Sequence, residues 1–318
     1  MIVFLIEKDN SIVNHLEYIT ENRKAKFKRI NVESFPEDNI YLKVANSSTS
    51  ITNLIDTPDI TGIFCRYMLP VSENLSKSIP EEFRRFTTSE SRDFLLGSIL
   101  SCLREKQDAR WINPVMASYA SRIKINQLKI AKEVGWVVPE TIISNNKKVL
   151  IDFWREKNGQ VITKAIHSGW LSKIGDKNKV IFTSVVTEKH LEKISDINYP
   201  PLLFQEKIDK NKELRVVVIG KKYFSCSLGK SINIDWRVDN VAIDNSEIFN
   251  LPCDVEKKSI EVVKNMGLSF GVLDVILDKS GNFYFLEVNE QGEWLWMDEK
   301  LDLPIGDSII DYLEGKNI

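Results

Sequence analysis

Several features are scarce in this sequence, and each absence narrows what the chain can do. Cysteines number four, Cys65, Cys102, Cys226 and Cys253, and no two form a CxxC pair. That spacing argues against a zinc site and fits free thiols in a reducing compartment, so the cytoplasm is the expected location. Histidines number three, His15, His167 and His190, too few and too scattered for His-based metal or triad chemistry. No run approaches the ~18 apolar residues a membrane span needs. The opening MIVFLIEKDN lacks a basic flank and is too short for a signal peptide, so it reads as a first β-strand. Charge of one sign is missing too: 43 basic residues meet 45 acidic ones, for a net charge of -2. Without a basic tail or block, neither nucleic acid nor an anionic membrane is the expected partner. No GxxxxGK[ST] or GxGxxG motif occurs, which removes the P-loop and Rossmann routes to nucleotide binding. Internal repeats and low-complexity segments are absent as well.

What remains is an ordinary globular composition, 43% hydrophobic and 28% charged, over 318 residues, enough for two or three subdomains. Pattern predicts a mixed α/β fold (α/β with α+β parts) in three units: 1–114, 115–203 and 204–318. The first has strands at 2–6 (IVFLI) and 62–65 (GIFC, ending at Arg66), helices at 10–21 and 80–107, and the punctuation WINP at 111–114. The second opens with one helix over 115–135, whose apolar residues recur at helical spacing and which Gly135 stops. Strands at 160–166 and 180–186 follow, then a short helix at 187–194. The third unit has strands at 201–208, 214–220 and 223–228, a helix at 255–266, and the hairpin GVLDVILDKSGNFYFLEVN over 271–289.

That hairpin carries the clearest chemical signal. With a four-residue loop over 279–282, Asp278 pairs with Phe283 and Asp274 lies opposite Glu287, while Asn289 sits two further along on the same face. Three oxygen-bearing side chains thus meet inside apolar strands. Two carboxylates there repel and resist desolvation unless a cation neutralises them. Hard oxygen donors without His or Cys suit Mg²⁺. A surface hairpin with hydrated acids is the plainer account of either carboxylate alone; the apolar flanks of all three favour the metal.

Lys164 lies in the apolar stretch VITKAI, where a cation has no evident structural use, although lysines often snorkel out of such strands. Lys124 falls on the amphipathic helix and by itself reads as part of a solvated face. Two lysines beside an acidic cation site make a cradle for a triphosphate. In FQEKIDKNKELRVVV (204–218) an apolar strand ends at Gln205, Glu206, Lys207 and Ile208, and Glu213 and Arg215 follow; alone, this reads as a charged surface hairpin.

Taken in order, these pieces resemble the ATP-grasp superfamily over about 113–292. Lys124 and Lys164 match its phosphate-binding lysines, Gln205–Ile208 its adenine hinge, Glu213 its ribose-binding glutamate, and Asp274, Glu287 and Asn289 its magnesium ligands. The segments RINVESFPEDN, GIFCRYMLP, WINP, KINQLKIAKEVGWVVPETIISN and FLEVNEQGEWLWMD are further similar to the graspetide synthetases, microviridin-ligase-type macrocyclases of ribosomal peptides. Many relatives carry paired arginines where this chain has Arg66 and Tyr67.

The resemblance implies an ATP-grasp fold with ATP between the last two units, and ATP and Mg²⁺ as cofactors. The partner it implies is a ribosomal precursor peptide with a leader and an acidic core containing Thr, Ser or Lys. An Asp or Glu side chain would be activated as an acyl phosphate and captured as an ω-ester or ω-amide. Lys164 and Arg215 are the candidate catalytic residues, Arg215 because its fork suits a transferring phosphoryl group. Arg66 and Arg237 are candidates for the acceptor carboxylate, and Glu188 and Glu192 for leader docking beside the 167–186 hairpin. Two rival readings stay open: an ATP-grasp ligase adding free amino acids to a peptide or protein terminus, and an inactive nucleotide-binding module that only binds peptide. The assembly, monomer or homodimer, is open too.

Overall fold

The computed structural model describes residues 1–6, 10–31, 41–46, 48–52, 59–66, 79–105, 108–166, 170–174, 177–194, 200–230, 234–238 and 241–318. Its strands, in chain order, are β1 (Ile2–Ile6), β2 (Phe27–Asn31), β3 (Tyr41–Ala45), β4 (Ser48–Thr52), β5 (Gly62–Cys65), β6 (Arg110–Ile112), β7 (Thr141–Ser144), β8 (Val161–Lys164), β9 (Trp170–Ile174), β10 (Lys177–Val180), β11 (Ser184–Val185), β12 (Leu202–Glu206), β13 (Lys210–Ile219), β14 (Lys222–Ser227), β15 (Glu247–Ile248), β16 (Phe270–Asp278) and β17 (Phe283–Asn289). They build a parallel sheet in the order β2-β1-β5-β6, an antiparallel sheet β11-β8-β12-β7, a larger antiparallel sheet β15-β14-β13-β16-β17, and two hairpins, β3-β4 and β9-β10. Among the described residues no helix is long and apolar enough to cross a membrane.

Apolar patterning explains these placements. IVFLI does not alternate because β1 is buried on both faces, as parallel strands flanked by helices are. The stretch LRVVVI of β13 is continuous for the same reason. Val217 and Ile219 join one core with β1 and the C-terminal helices Leu295–Leu301 and Ile305–Leu313. Leu214, Val216 and Val218 face a second core under the helix Cys253–Asn265. The C-terminal helices thereby fill the space between the parallel sheet and the large antiparallel one. Trp294, fully buried, begins this filling, its ring edge-on to His15 from the helix Ser11–Asn22.

Two expectations about element bounds fail. The predicted helix over 115–135 is two helices, Val115–Ser121 and Lys124–Glu133, because Ile123 is extended (φ -79°, ψ 99°). No Gly or Pro marks the break, so apolar spacing alone carries the helix through it. The break puts Lys124 in the first turn of a new helix. Gly135 does end that helix as expected: at φ +85° it donates to Lys132 O, and Trp136 N donates to Ala131 O, the paired bonds of a Schellman cap. The predicted strand over 180–186 is likewise divided between β10 and β11.

Gln127 docks the second helix on the β16–β17 hairpin. Its amide donates to Ser121 O (2.6 Å) and Val288 O (2.8 Å) and accepts from Val288 N (3.0 Å), serving as a strand partner for the edge of β17. Each buried group left unpaired by its removal costs about 1–3 kcal/mol. Asn113, in the WINP segment, performs a similar joint, donating to Phe270 O and Glu290 O and accepting from Ser269 N and Phe270 N.

Candidate active site

The large sheet and the central β11-β8-β12-β7 sheet are joined at residues 207–209, between β12 and β13. Glu206 N donates to Glu140 O and Lys207 N to Gln160 O, so the crossing is pinned to the central sheet. Beneath it lies a cavity of about 970 Å³. Lys124, Lys164, Gln205, Glu206, Lys207, Ile208, Glu213, Arg215, Arg237, Asp274, Glu287 and Asn289 all line it. Residues drawn from one helix, five strands and the short segment around Arg237, up to 165 positions apart, therefore share one space.

The hairpin register explains how the acids meet. At the turn Leu277, not Asp278, opposes Phe283, one residue off the expected pairing. Asp278 is occupied otherwise: its carboxylate accepts from Ser280 N and Asn282 N and shapes the loop. A β-bulge between Asp274 and Val275 then inserts one residue and brings Asp274 opposite Glu287 after all. Without the bulge Leu286 would oppose Asp274, and Glu287 would be turned to the other face. The amide nitrogen of Asn289 donates to Asp274 (3.2 Å) and Glu287 (3.4 Å).

Cations surround these acids. Arg215, paired in register with Asp274 across β13 and β16, donates from Nη1 to its carboxylate (2.6 Å) and from Nη2 to Glu293 O (3.0 Å). Its guanidinium also lies 5.4 Å from the ring centre of Trp236. Lys124 Nζ sits 3.2 Å from Glu287 and donates to Ala165 O; Lys164 Nζ is 4.0 Å from the same carboxylate. Burial pushes the Asp274 carboxyl up, Arg215 pulls it down, and the Glu287 charge adds to the rise. Burial acts the same way on Glu287, yet Lys164, Lys124 and Arg237 outweigh it and hold this carboxyl well below the usual range. For Lys164, burial lowers the ammonium value against the pull of Glu287.

The Glu287 shift has a consequence for stability. A carboxyl whose folded value lies below its unfolded one stabilises the fold above the unfolded value and loses that contribution as pH falls through the folded value. Wild type should therefore melt above Glu287→Gln at neutral pH, with the gap closing below pH ~4.5, the ordinary glutamate value. Thermal melts of both proteins across this range check it; a gap that stays constant down to pH ~3 would contradict the pairing.

Two further ion pairs, which the sequence did not suggest, hold the loop after β17. Arg122 Nε donates to Glu290 (2.5 Å), and buried Arg66, at the end of β5, pairs with Glu293. A Cβ on Gly292 would fall 2.6 Å from Val272 Cβ, so only glycine lets this loop fold against β16. Glu290, Gly292, Glu293 and Arg122 line the cavity, whereas Arg66 is not among the lining residues and pairs with Glu293, which is. Glu188 and Glu192 stand exposed on the helix Glu188–Lys193 and are not among the lining residues. Tyr67 and residues 167–169 and 175–176 of the 167–186 hairpin lie outside the described residues.

The donor set suits a hard divalent ion. Two carboxylates converge with an amide whose half-turn would present oxygen in place of nitrogen, and among the described residues no histidine or cysteine lines the cavity. Among the described residues no cluster of three or more His, Cys, Asp or Glu side chains competes as a metal site. The cavity also keeps polar atoms in reserve: Gln205 Oε1, Arg215 Nε and Trp296 Nε1 are buried without a partner on its wall. Glu213, its carboxyl pushed up by burial against the pull of Lys210, accepts from Lys210 Nζ at 2.8 Å. These features fit a polyanionic nucleotide with its metal.

Solved structures share this fold over nearly the whole chain. The macrocyclase MdnC bound with precursor peptide MdnA from Microcystis aeruginosa MRC matches at 24% identity and TM-score 0.84, covering 99% of both chains. A RiPP-associated ATP-grasp ligase of Chryseobacterium gregarium, in complex with ADP and a leader and core peptide, matches at 25% identity and TM-score 0.86, covering 98% of this chain and 96% of that one. The ATP-grasp ligase PsnB, complexed with a phosphomimetic variant of a minimal precursor, Mg and ADP, matches at 19% identity and TM-score 0.74, over 98% and 97% of the two chains. No curated protein matches the sequence. A family model does, over residues 122–313, the span from Arg122 to Leu313 that contains the entire cation-ringed carboxylate centre, and the chain belongs to the RimK-like ATP-grasp family.

Proposed function

We propose that the chain is an ADP-forming peptide ligase that activates Asp or Glu side chains of a ribosomal precursor peptide and joins them to Ser or Thr hydroxyls, or Lys amines, of the same peptide. The observation that carries this reading is the Asp274–Glu287–Asn289 oxygen cluster ringed by Lys124, Lys164 and Arg215 in a cavity of about 970 Å³. A space of that volume admits a nucleotide together with a peptide side chain. The relatives that share the fold from end to end and carry precursor, leader or core peptides favour a peptide acceptor over a free amino acid.

In this reading Asp274, Glu287 and Asn289 hold Mg²⁺, while Lys124 and Lys164 offset phosphate charge. Gln205, Glu206, Lys207 and Ile208 receive the adenine, and Glu213 the ribose. Mg²⁺ bound with ATP supplies charge neutralisation at the γ-phosphate. Arg215 turns its fork to the carboxylate being phosphorylated and steadies the acyl phosphate that results. A hydroxyl or amine of the peptide then attacks the acyl carbon, its proton is lost and phosphate departs. Arg237 orients an acceptor carboxylate, and Glu188 and Glu192 on their exposed helix meet the leader. Arg66, buried behind the cavity wall, acts on the site through its pair with Glu293 and not by direct contact with substrate.

Incubation with ATP, Mg²⁺ and an acidic peptide encoded beside the gene should release one ADP and remove ~18 Da from the peptide for each ring. A gain in mass by whole amino-acid residues would establish the terminus-extending ligase instead. Tight ATP binding with no ADP formed would leave only a peptide-binding module.

A further inference from the structure

The segment 234–238 forms one wall of the cavity and is fastened at separate points. Ile234 O accepts from Lys210 Nζ at 3.3 Å, and Trp236 lies over the guanidinium of Arg215. The third fastening is the tightest. Asp235 is 5% exposed, and its carboxylate accepts four hydrogen bonds. One comes from Thr183 N (3.0 Å) on the central unit. Three come from Arg237: backbone N (3.2 Å), Nε (2.8 Å) and Nη2 (2.6 Å). Arg237 is itself mostly exposed, yet it lines the cavity, and its charge helps to keep Glu287 ionised.

A guanidinium has five N–H donors and two edges suited to a carboxylate. Asp235 takes Nε–H and one Nη2–H, so the outer edge, Nη1 with the second Nη2–H, stays available for another anion. Simple charge pairing does not account for so complete a grip. A surface arginine gains little from one carboxylate, whereas a buried carboxylate saturated by four donors fixes the plane in which the outer edge lies. Thr183 directly precedes β11, where Ser184 pairs with Thr163, the neighbour of Lys164. One stretch of ladder therefore positions both Lys164 and, through Asp235, Arg237.

We propose that Asp235 is a positioning residue that holds Arg237 edge-on to the cavity for a substrate carboxylate, in step with the strand that carries Lys164. The inference rests on the reading that the site takes an acidic peptide. Asp235→Asn keeps an oxygen for Thr183 N but removes the charge and the two-point grip. With a synthetic Glu-, Thr- and Lys-containing peptide as probe, Asp235→Asn should raise the peptide KM about tenfold and leave the KM for ATP within about threefold. In an Arg237→Lys background, which has no fork to align, the same change should add less than about twofold. Proton exchange at Arg237 Nε–H, followed by NMR, should be slow in wild type and fast in Asp235→Asn. Three results would overturn the proposal: an unchanged peptide KM, equal effects in both backgrounds, or parallel loss of ATP affinity. Should wild type bind Mg²⁺–ATP but ignore the acidic peptide, the substrate reading fails, and unprotected Nε–H in wild type would separately sink the clamp.

Discussion

Glu287→Gln should abolish turnover, lowering kcat by at least ~10³-fold, while making nucleotide bind more tightly in the absence of divalent metal. The two effects have one origin. In the protein alone, Glu287 shares Lys124 and Lys164, and a triphosphate entering without metal must take those lysines from it. The displaced carboxylate would then be buried, unpaired and close to the phosphates. At the effective dielectric of such sites, one charge repelling another across ~8 Å costs about 2 kcal/mol, or roughly thirtyfold in affinity. Removing the charge removes that penalty and, with it, one of the proposed anchors of the metal. Titration with a fluorescent ATP analogue, with chelator and with Mg²⁺, separates the cases. Wild type should bind far better with Mg²⁺, and Glu287→Gln should bind almost equally under both conditions. A variant that still needs Mg²⁺ for tight binding would count against Glu287 as a metal anchor. The melting point should fall by only a few degrees, since glutamine fills the same space.

Arg215→Ala should lower kcat by about 10²–10³-fold with little change in ATP affinity, because its fork would act where charge moves from nucleotide to carboxylate. A stability cost accompanies it. Among the described residues Arg215 supplies the cationic hydrogen bond to Asp274, and stranding a buried carboxylate costs about 3–5 kcal/mol. Arg215→Lys tells the two contributions apart. Lysine restores a charge beside Asp274 but makes only point contacts, so urea denaturation should recover most of the stability while single-turnover ADP formation stays slow. If Arg215→Lys forms ADP at the wild-type rate, Arg215 serves as a counter-ion for Asp274 and has no part in the transfer.

The hairpin shows how far residue patterns reach. Two apolar strands around Lys279-Ser280-Gly281-Asn282 announce an antiparallel pair, and counting outward places Asp274 opposite Glu287, as found. The count succeeds at that end although it fails at the turn, because a β-bulge makes up the residue that Asp278 withholds from the ladder. Bulges follow from backbone geometry that apolar spacing does not encode. The helix over 115–135 fails for a comparable reason. Its break at Ile123 serves a tertiary contact, Gln127 on the edge of β17, and nothing in the local sequence opposes a continuous helix.

From its residues alone the chain was determined to be a mixed α/β protein with an acidic, oxygen-rich hairpin, two lysines in suggestive places and an ATP-grasp order of parts. Those are local properties: side-chain period, hard donors, charges set within apolar strands. Only the tertiary structure decided that Lys124, Lys164 and Arg215 surround the carboxylates, that Arg122 and Arg66 grip the loop after β17, and that Asp235 holds Arg237. Each of these contacts except the last joins elements distant in sequence, and Asp235 completes its hold through Thr183, 52 positions away. A pairing across such distances leaves no periodic trace in the chain; it exists because burial makes an unpaired charge too costly to keep once the sheets have closed on it.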